Sequence, residues 1–280
     1  MLAQIFITQS ILLVCVLLGW YFGRIIHKFA DKRFSEGDLG GKELGRMSDT
    51  LAFVGGAVGI LLGLLLSFAV ADFDDTKTSI QTMGRTSLSV FSGAESLNAE
   101  QRYDIRRDVV CALRTTITDD WPAIGNNVRG GSPETTHWLL KLNKDVSQAS
   151  LDTIQQQQNF PNLINSTTEL TSAREEIVMG NTALIPFVIW IVIYFSAFVM
   201  TALLAMHLAD RKVLARISAA MSWGMLAVIL FALAVLDAPL APVFGTPTLA
   251  PIPIQETLDV LQESSPDSAL WVECPPLVKS

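Results

Sequence analysis

The side chains able to do chemistry are few and scattered. The 280 residues hold three cysteines and three histidines. Cys15, Cys111 and Cys274, and His27, His137 and His207, fall in separate regions with no metal-ligand spacing, so neither a metal site nor a cofactor is expected. No Gly-x-Ser-x-Gly elbow, phosphate loop or dinucleotide fingerprint occurs, so no catalytic residue is assigned. One acidic group stands out, Asp72, Asp74 and Asp75, at the end of a long apolar run. Repeated by symmetry around an axis, it would make a ring of negative charge that gathers cations at a pore mouth; in a single chain it is a solvated helix exit. Arg102, Arg106 and Arg107 alternate with Asp104 and Asp108 and read as a solvated face. A net charge of −7 gives no reason to expect nucleic acid.

The elements that must position these groups are set by hydropathy. Half of the chain is hydrophobic and 17% is charged, against about a quarter charged in typical soluble domains. No charge occurs in 1–23, 50–71, 177–209 or 217–236, each able to supply the roughly 20 residues that cross a bilayer core. Segment 51–71 holds twelve Leu, Ile, Val and Phe residues. At the usual per-residue gain they favour insertion by about 4–7 kcal/mol. The expected fold is therefore all-α and polytopic, a membrane protein with four transmembrane helices at 1–23, 51–72, 182–208 and 217–237. The links 24–50 and 209–216 are short, a helical-bundle domain at 73–181 is inserted between helices two and three, and 238–280 is a proline-rich tail.

Basic residues in short loops mark the cytoplasmic side. Arg24, Lys28, Lys32, Arg33, Lys42 and Arg46 lie in the first link; Arg211, Lys212 and Arg216 lie in the second. Both links are expected in the cytoplasm, with the termini and the 73–181 domain outside, in the periplasm of a bacterial inner membrane. Cys111 and Cys274 then share an oxidising side, where a disulfide would tie the tail to the domain; Cys111 as a buried small hydrophobe is the alternative.

The first link, with Gly37, Gly40, Gly41 and Gly45, reads as a flexible connector. In helix two, Gly55, Gly59, Gly63 and Ser67 recur every four residues. Such a stripe lets backbones approach closely in lipid. It predicts either packing within the chain or an oligomeric, pore-lining helix.

The chain is expected to leave this helix at Asp72–Asp75 and to continue as an amphipathic helix over 76–97 with Ile80, Met83, Val90 and Phe91 inward. Asn98 and Gln101 form a capping box before a helix carrying Tyr103, Val110, Leu113 and Ile117, which Trp121-Pro122 should stop. Gly130-Gly131 marks a turn, and Ser132-Pro133 starts a helix with Leu139, Leu142, Val146 and Ala149. A further helix after Pro161 carries Leu163, Leu170 and Ile177. The third span is expected from Ala183 with Pro186 in its first turn, the tail holds a short helix near Glu256–Gln262, and the last fifteen residues read as loose.

Three stretches carry a resemblance: Gly59-Ile60-Leu61-Leu62-Gly63-Leu64-Leu65-Leu66-Ser67-Phe68, the helix from Tyr103 to Arg114, and Leu236-Asp237-Ala238-Pro239-Leu240-Ala241-Pro242. Over roughly 5–263 the chain resembles the bacterial bestrophin-like membrane proteins, a family defined by a domain of unknown function. The resemblance implies a homo-oligomeric ion channel with the lipid bilayer and an inorganic ion as partners. Bestrophins conduct anions and keep their large domain in the cytoplasm. Here the mouth is acidic and the basic residues place the domain outside, so no pore residue is carried over. The alternative is a non-conducting sensor or scaffold whose helical domain binds a ligand or partner protein.

Overall fold

The computed structural model describes residues 2–34, 40–126, 128–180, 185–207, 212–237, 239–240, 242–243, 246–265 and 267–275. The middle of the first expected link, the start of the second, and Ala183 as the start of the third span lie outside them. The described chain is helical apart from a two-residue antiparallel ribbon in the tail, Pro242–Val243 against Thr246–Pro247. It divides into two compact units, Met1–Ala71 with Ala183–Asp237, and Asp72–Thr182 with Ala238–Ser280.

The first unit is built from α1 (Leu2–Phe34), the start of α2 (Gly40–Gly93), α7 (Phe187–His207) and α8 (Lys212–Leu236). Three described helices, those containing Ile7–Phe29, Asp49–Ser96 and Phe187–His207, are long and apolar enough to cross a membrane; Ala220–Leu236 of α8 is a shorter apolar stretch. Leu12, Leu62, Ile193, Ala197, Leu230 and Leu233 form the centre of this unit. Its tightest seam joins α1 to α7. A Cβ built on Gly19 would stand 2.5 Å from the Phe198 carbonyl oxygen, and one on Gly23 closer still to that of Ala202. The Gly19-x3-Gly23 pair thus lets two backbones meet, and Ala197, Thr201, Ala202 and Ala205 are buried on α7.

Two boundaries differ from expectation. The first link is not a connector throughout: α1 runs on to Phe34 and α2 starts at Gly40. Lys, Arg and Glu are good helix formers, so charge ends an apolar window without ending a helix. Likewise α2 does not break at Asp72–Asp75. It continues for 54 residues, roughly 80 Å at the α-helical rise. Neither glycine nor proline occurs between Ala69 and Met83, so nothing there interrupts the backbone ladder.

The second unit packs the end of α2 with α3 (Ala99–Thr115), α4 (Trp121–Gly125), α5 (Pro133–Ser147), α6 (Ile154–Gly180) and the tail helix α9 (Ile252–Ser264). Ile80, Met83, Val90 and Phe91 are buried, as are Val110, Leu113, Leu139, Leu142, Val146, Leu163, Leu170 and Ile177. Asn98 caps α3, its Oδ1 accepting the Gln101 amide at 2.9 Å; the Gln101 side chain donates instead to Ser150 Oγ. Ser132 caps α5, Oγ accepting from the Thr135 amide at 3.1 Å. Gly130 and Gly131 both hold positive φ, +82° and +71°.

Trp121-Pro122 does not stop the helix. A π-turn at Thr116–Asp120 absorbs one residue, so Pro122 enters the first turn of α4, where no amide is needed. Nor does α6 wait for Pro161. It starts at Ile154 on a capping box: Thr153 Oγ1 accepts the Gln156 amide, and Gln156 Oε1 accepts the amides of Asp152 and Thr153. Pro161 sits inside the helix on its exposed side, so the carbonyl that loses its donor faces solvent rather than the core.

Candidate functional site

The small-residue stripe of α2 does not meet another helix closely. Gly55 comes near only the tip of Met200, and a Cβ on Gly59 or Gly63 would have nothing within 4 Å. Gly55, Gly59 and Gly63 line an apolar cleft of about 420 Å³ with Ile193, Ala197 and Met200 of α7 and Trp223 of α8. Ser67 is exposed. The neighbouring face of α2, about 100° around the helix, is uncovered in the single chain: Phe53 is 78% exposed, Ile60 68%, Leu64 54% and Phe68 70%. A spacing of seven, four and four residues puts them on one side of a 3.6-residue helix.

Asp74 and Asp75 are exposed on α2, and Asp72 is half-buried. Asp72 and Asp75 border a groove of about 470 Å³ with Thr76, Ser79 and Glu176. There Ser79 Oγ donates to Glu176 Oε2 at 2.7 Å. Among the described residues no group of His, Cys, Asp and Glu could hold a metal ion.

Cys111 and Cys274 stand at bonding distance, Sγ–Sγ 2.08 Å and Cα–Cα 5.7 Å. They anchor a strap, residues 267–275, along α3. Tyr103 Oη donates to the Ala269 carbonyl. Arg107 donates to the carbonyls of Leu270, Val272 and Glu273 at 2.6–2.8 Å. Arg114 donates to those of Trp271 and Val272, its guanidinium 5.6 Å from the Trp271 ring centre. Burial, then the nearby Arg107 charge, pull the Arg114 pKa below its ordinary value. The described end of the tail is therefore fastened rather than loose, because two arginines satisfy backbone carbonyls that have no ladder of their own. Arg107 is part of this clamp, not of a solvated face. Arg102 and Arg106 both pair with Glu95, whose pKa the Arg106 charge holds down.

Two buried charge groups were not visible to motif reading. Asp120, fully buried, accepts from Arg174 through both oxygens, 2.9 and 3.0 Å, and from the Ser132 amide at 2.5 Å. Arg174 also donates to the Gly130 carbonyl at 3.0 Å. A Cβ on Gly131 would collide with Asp120 Oδ1, so that glycine answers both a positive φ and a close approach. Asp108, read from sequence as solvated, is fully buried; Lys141 bridges it at 2.7 Å to Asp145 at 2.8 Å. Burial pushes the Asp108 carboxyl up to about 7, with Lys141 opposing. Burial works against the Lys141 charge, but its bonds to Asp108 and Asp145 outweigh it and raise its pKa. The available signal was position: Asp108 lies between Ile105 and Ala112 on the buried stripe of α3.

These parts fasten, bury and expose; none forms a nucleophile–base pair. Comparison with known proteins identifies the scaffold. The Bestrophin-like domain, as a sequence family, matches residues 33–246. No protein with a curated description matches. A bacterial bestrophin homologue from Klebsiella pneumoniae is similar in structure, with a TM-score of 0.63, 15% identity, and 95% of this chain and 99% of that one covered. A variant of that homologue gives 0.63 at 14%, over 90% and 98%. A structure described as a membrane protein gives 0.62 at 16%, over 91% and 97%. At such identities the likeness establishes the fold. With the family matching three quarters of its length, the chain is a helical membrane protein that belongs to the bestrophin-like family.

Proposed function

We propose that this protein is a homo-oligomeric, cation-conducting channel of a bacterial inner membrane, with four spans and its helical unit on the periplasmic side. The observation that carries the reading is the uncovered stripe Phe53, Ile60, Leu64 and Phe68 on α2. Asp75 follows Phe68 by seven residues, two turns on, at the same phase of one continuous helix. Copies of α2 arranged around an axis would repeat that apolar face and bring Asp75 into a ring at its end, with Asp72 and Asp74 on its flanks. Carboxylates there raise local cation concentration and oppose chloride. The bestrophin resemblance supplies the channel class; the acidic residues turn its selectivity.

Two independent features support the orientation. Basic residues cluster in both short links. The Cys111–Cys274 pairing belongs in an oxidising compartment, which the cytoplasm is not. The apolar stretch Ala220–Leu236 supports α8 as the fourth span, its short length met by local bilayer thinning and by snorkelling of its basic start. Potassium flux from sealed liposomes holding the purified protein tests the reading. A ring-sized complex with flux is the expected result; a monomer in tight vesicles removes the channel.

The groove beside Glu176, with a second polar groove of about 550 Å³ bordered by Ser89, Glu95, Gln155 and Asn159, favours the rival reading of a sensor or scaffold. A partner protein that co-purifies with a non-conducting chain would support it.

A further inference from the structure

The cleft beside the α2 glycines leads to a charge. It shares Thr201 and Trp223 with a cavity of about 350 Å³ lined by Val16, Leu17, Trp20 and Arg24 of α1 and Ala220 of α8. The Arg24 guanidinium lies 5.0 Å from the Trp20 ring centre. Among the described residues no carboxylate pairs with it. Together these adjoining spaces make a region apolar along α2, α7 and α8 and cationic at one end, with Trp223 lining both.

We propose that this space binds one anionic phospholipid of the cytoplasmic leaflet, its phosphate on Arg24 and one acyl chain in the cleft along Gly55, Gly59 and Gly63. The volume of the cleft falls within the about 300–1,000 Å³ of ordinary ligand pockets. Left empty, its lining would forfeit dispersion contacts that a chain supplies. The missing side chains at Gly59 and Gly63 leave that width. A guanidinium presents forked donors to phosphate oxygens, and Trp20 and Trp223 suit the headgroup boundary. Arg24 belongs to the basic link, and basic pockets between helices on that side hold anionic headgroups. A second copy of the chain is the weaker occupant, because the cleft lies between helices of one chain and adjoins a cavity lined by Arg24, a charge that an apolar helix face would leave unpaired. The inference does not depend on conduction.

The test is native mass spectrometry of the delipidated full chain in mild detergent, titrated with phosphatidylglycerol and with phosphatidylcholine of identical chains. Wild type is expected to bind one phosphatidylglycerol per protomer in preference to phosphatidylcholine. Arg24→Ala should weaken this about fivefold, the worth of one basic residue, and Arg24→Lys should restore most of it. Gly59→Leu with Gly63→Leu, filling the cleft, should lower binding of both lipids. Equal binding of the two lipids by wild type would overturn the proposal without any variant. So would unchanged binding by Arg24→Ala or displacement of the lipid by inorganic phosphate alone.

Discussion

Removing one end of the strap gives a prediction whose size can be worked out. Cys274→Ser frees a loop closed over a sequence separation of 163 residues. Chain-entropy arithmetic for such a loop gives about 5 kcal/mol, and the value hardly changes if only the roughly 110 of its residues in the second unit are counted, because the dependence is logarithmic. Measured losses usually fall short of that limit. Here the five carbonyl bonds from Arg107 and Arg114 would keep the strap near α3 even when it is unbonded. A loss of about 3 kcal/mol is expected. For a unit of this size that shifts its melting by about 6–12 °C. The assay is intrinsic fluorescence melting in detergent, since Trp121, Trp138 and Trp271 all lie in the second unit. Reductant should lower the wild-type transition by the same amount and leave Cys274→Ser unmoved. Wild type and variant melting within a degree of each other, or Cys111 alkylated without reductant in protein taken from intact cells, would refute the reasoning and remove one support for the orientation.

Other perturbations test the remaining parts. Arg174→Met leaves Asp120 buried and unpaired and should cost about 3–5 kcal/mol in chemical denaturation; adding Asp120→Asn should recover part of it, and a strictly additive double variant would show that the pair is not coupled. For Asp108 the folded pKa, about 7, lies above the ordinary carboxylate value, so the folded state binds the extra proton between about pH 4 and 7. The contribution of this group to stability therefore falls as pH rises through that window, by up to about 1.4 kcal/mol per pH unit. Melting temperatures of Asp108→Asn should be flatter than wild type there; parallel curves would contradict the assignment. Gly23→Leu forces a side chain into the Ala202 carbonyl and should abolish the folded peak in detergent gel filtration, whereas Gly56→Leu, with open space at its Cβ, should not.

Local signals in the sequence were legible where neighbours along the chain decide the outcome. Asn98 and Ser132 cap the helices that follow them, and the stripes through Met83, Leu113, Leu142 and Leu170 are buried as their periodicity predicts. Helix ends read from charge or proline were less so. Asp72–Asp75 marks a change in composition, not a break in hydrogen bonding, and a π-turn or an exposed face let Pro122 and Pro161 stay inside helical runs. At the candidate site the residue types were right and the partners were hidden. Gly59 and Gly63 needed the positions of α7 and α8 before their stripe became a cleft wall, while Gly19-x3-Gly23, readable by the same rule, makes the close seam. Arg107 could not be told from a solvated arginine until a strap 163 to 166 residues away supplied carbonyls. Asp120 and Arg174 meet across 54 residues, which no local pattern encodes.

The proposed function rests on the carboxylates at the end of the α2 face gathering cations for passage. Current through planar bilayers, with a tenfold potassium chloride gradient, reads this directly. A reversal potential near the potassium equilibrium value, moving toward zero when Asp72, Asp74 and Asp75 are replaced together by Asn, is the predicted result. A reversal near the chloride value, or a silent bilayer containing correctly assembled protein, would contradict the account.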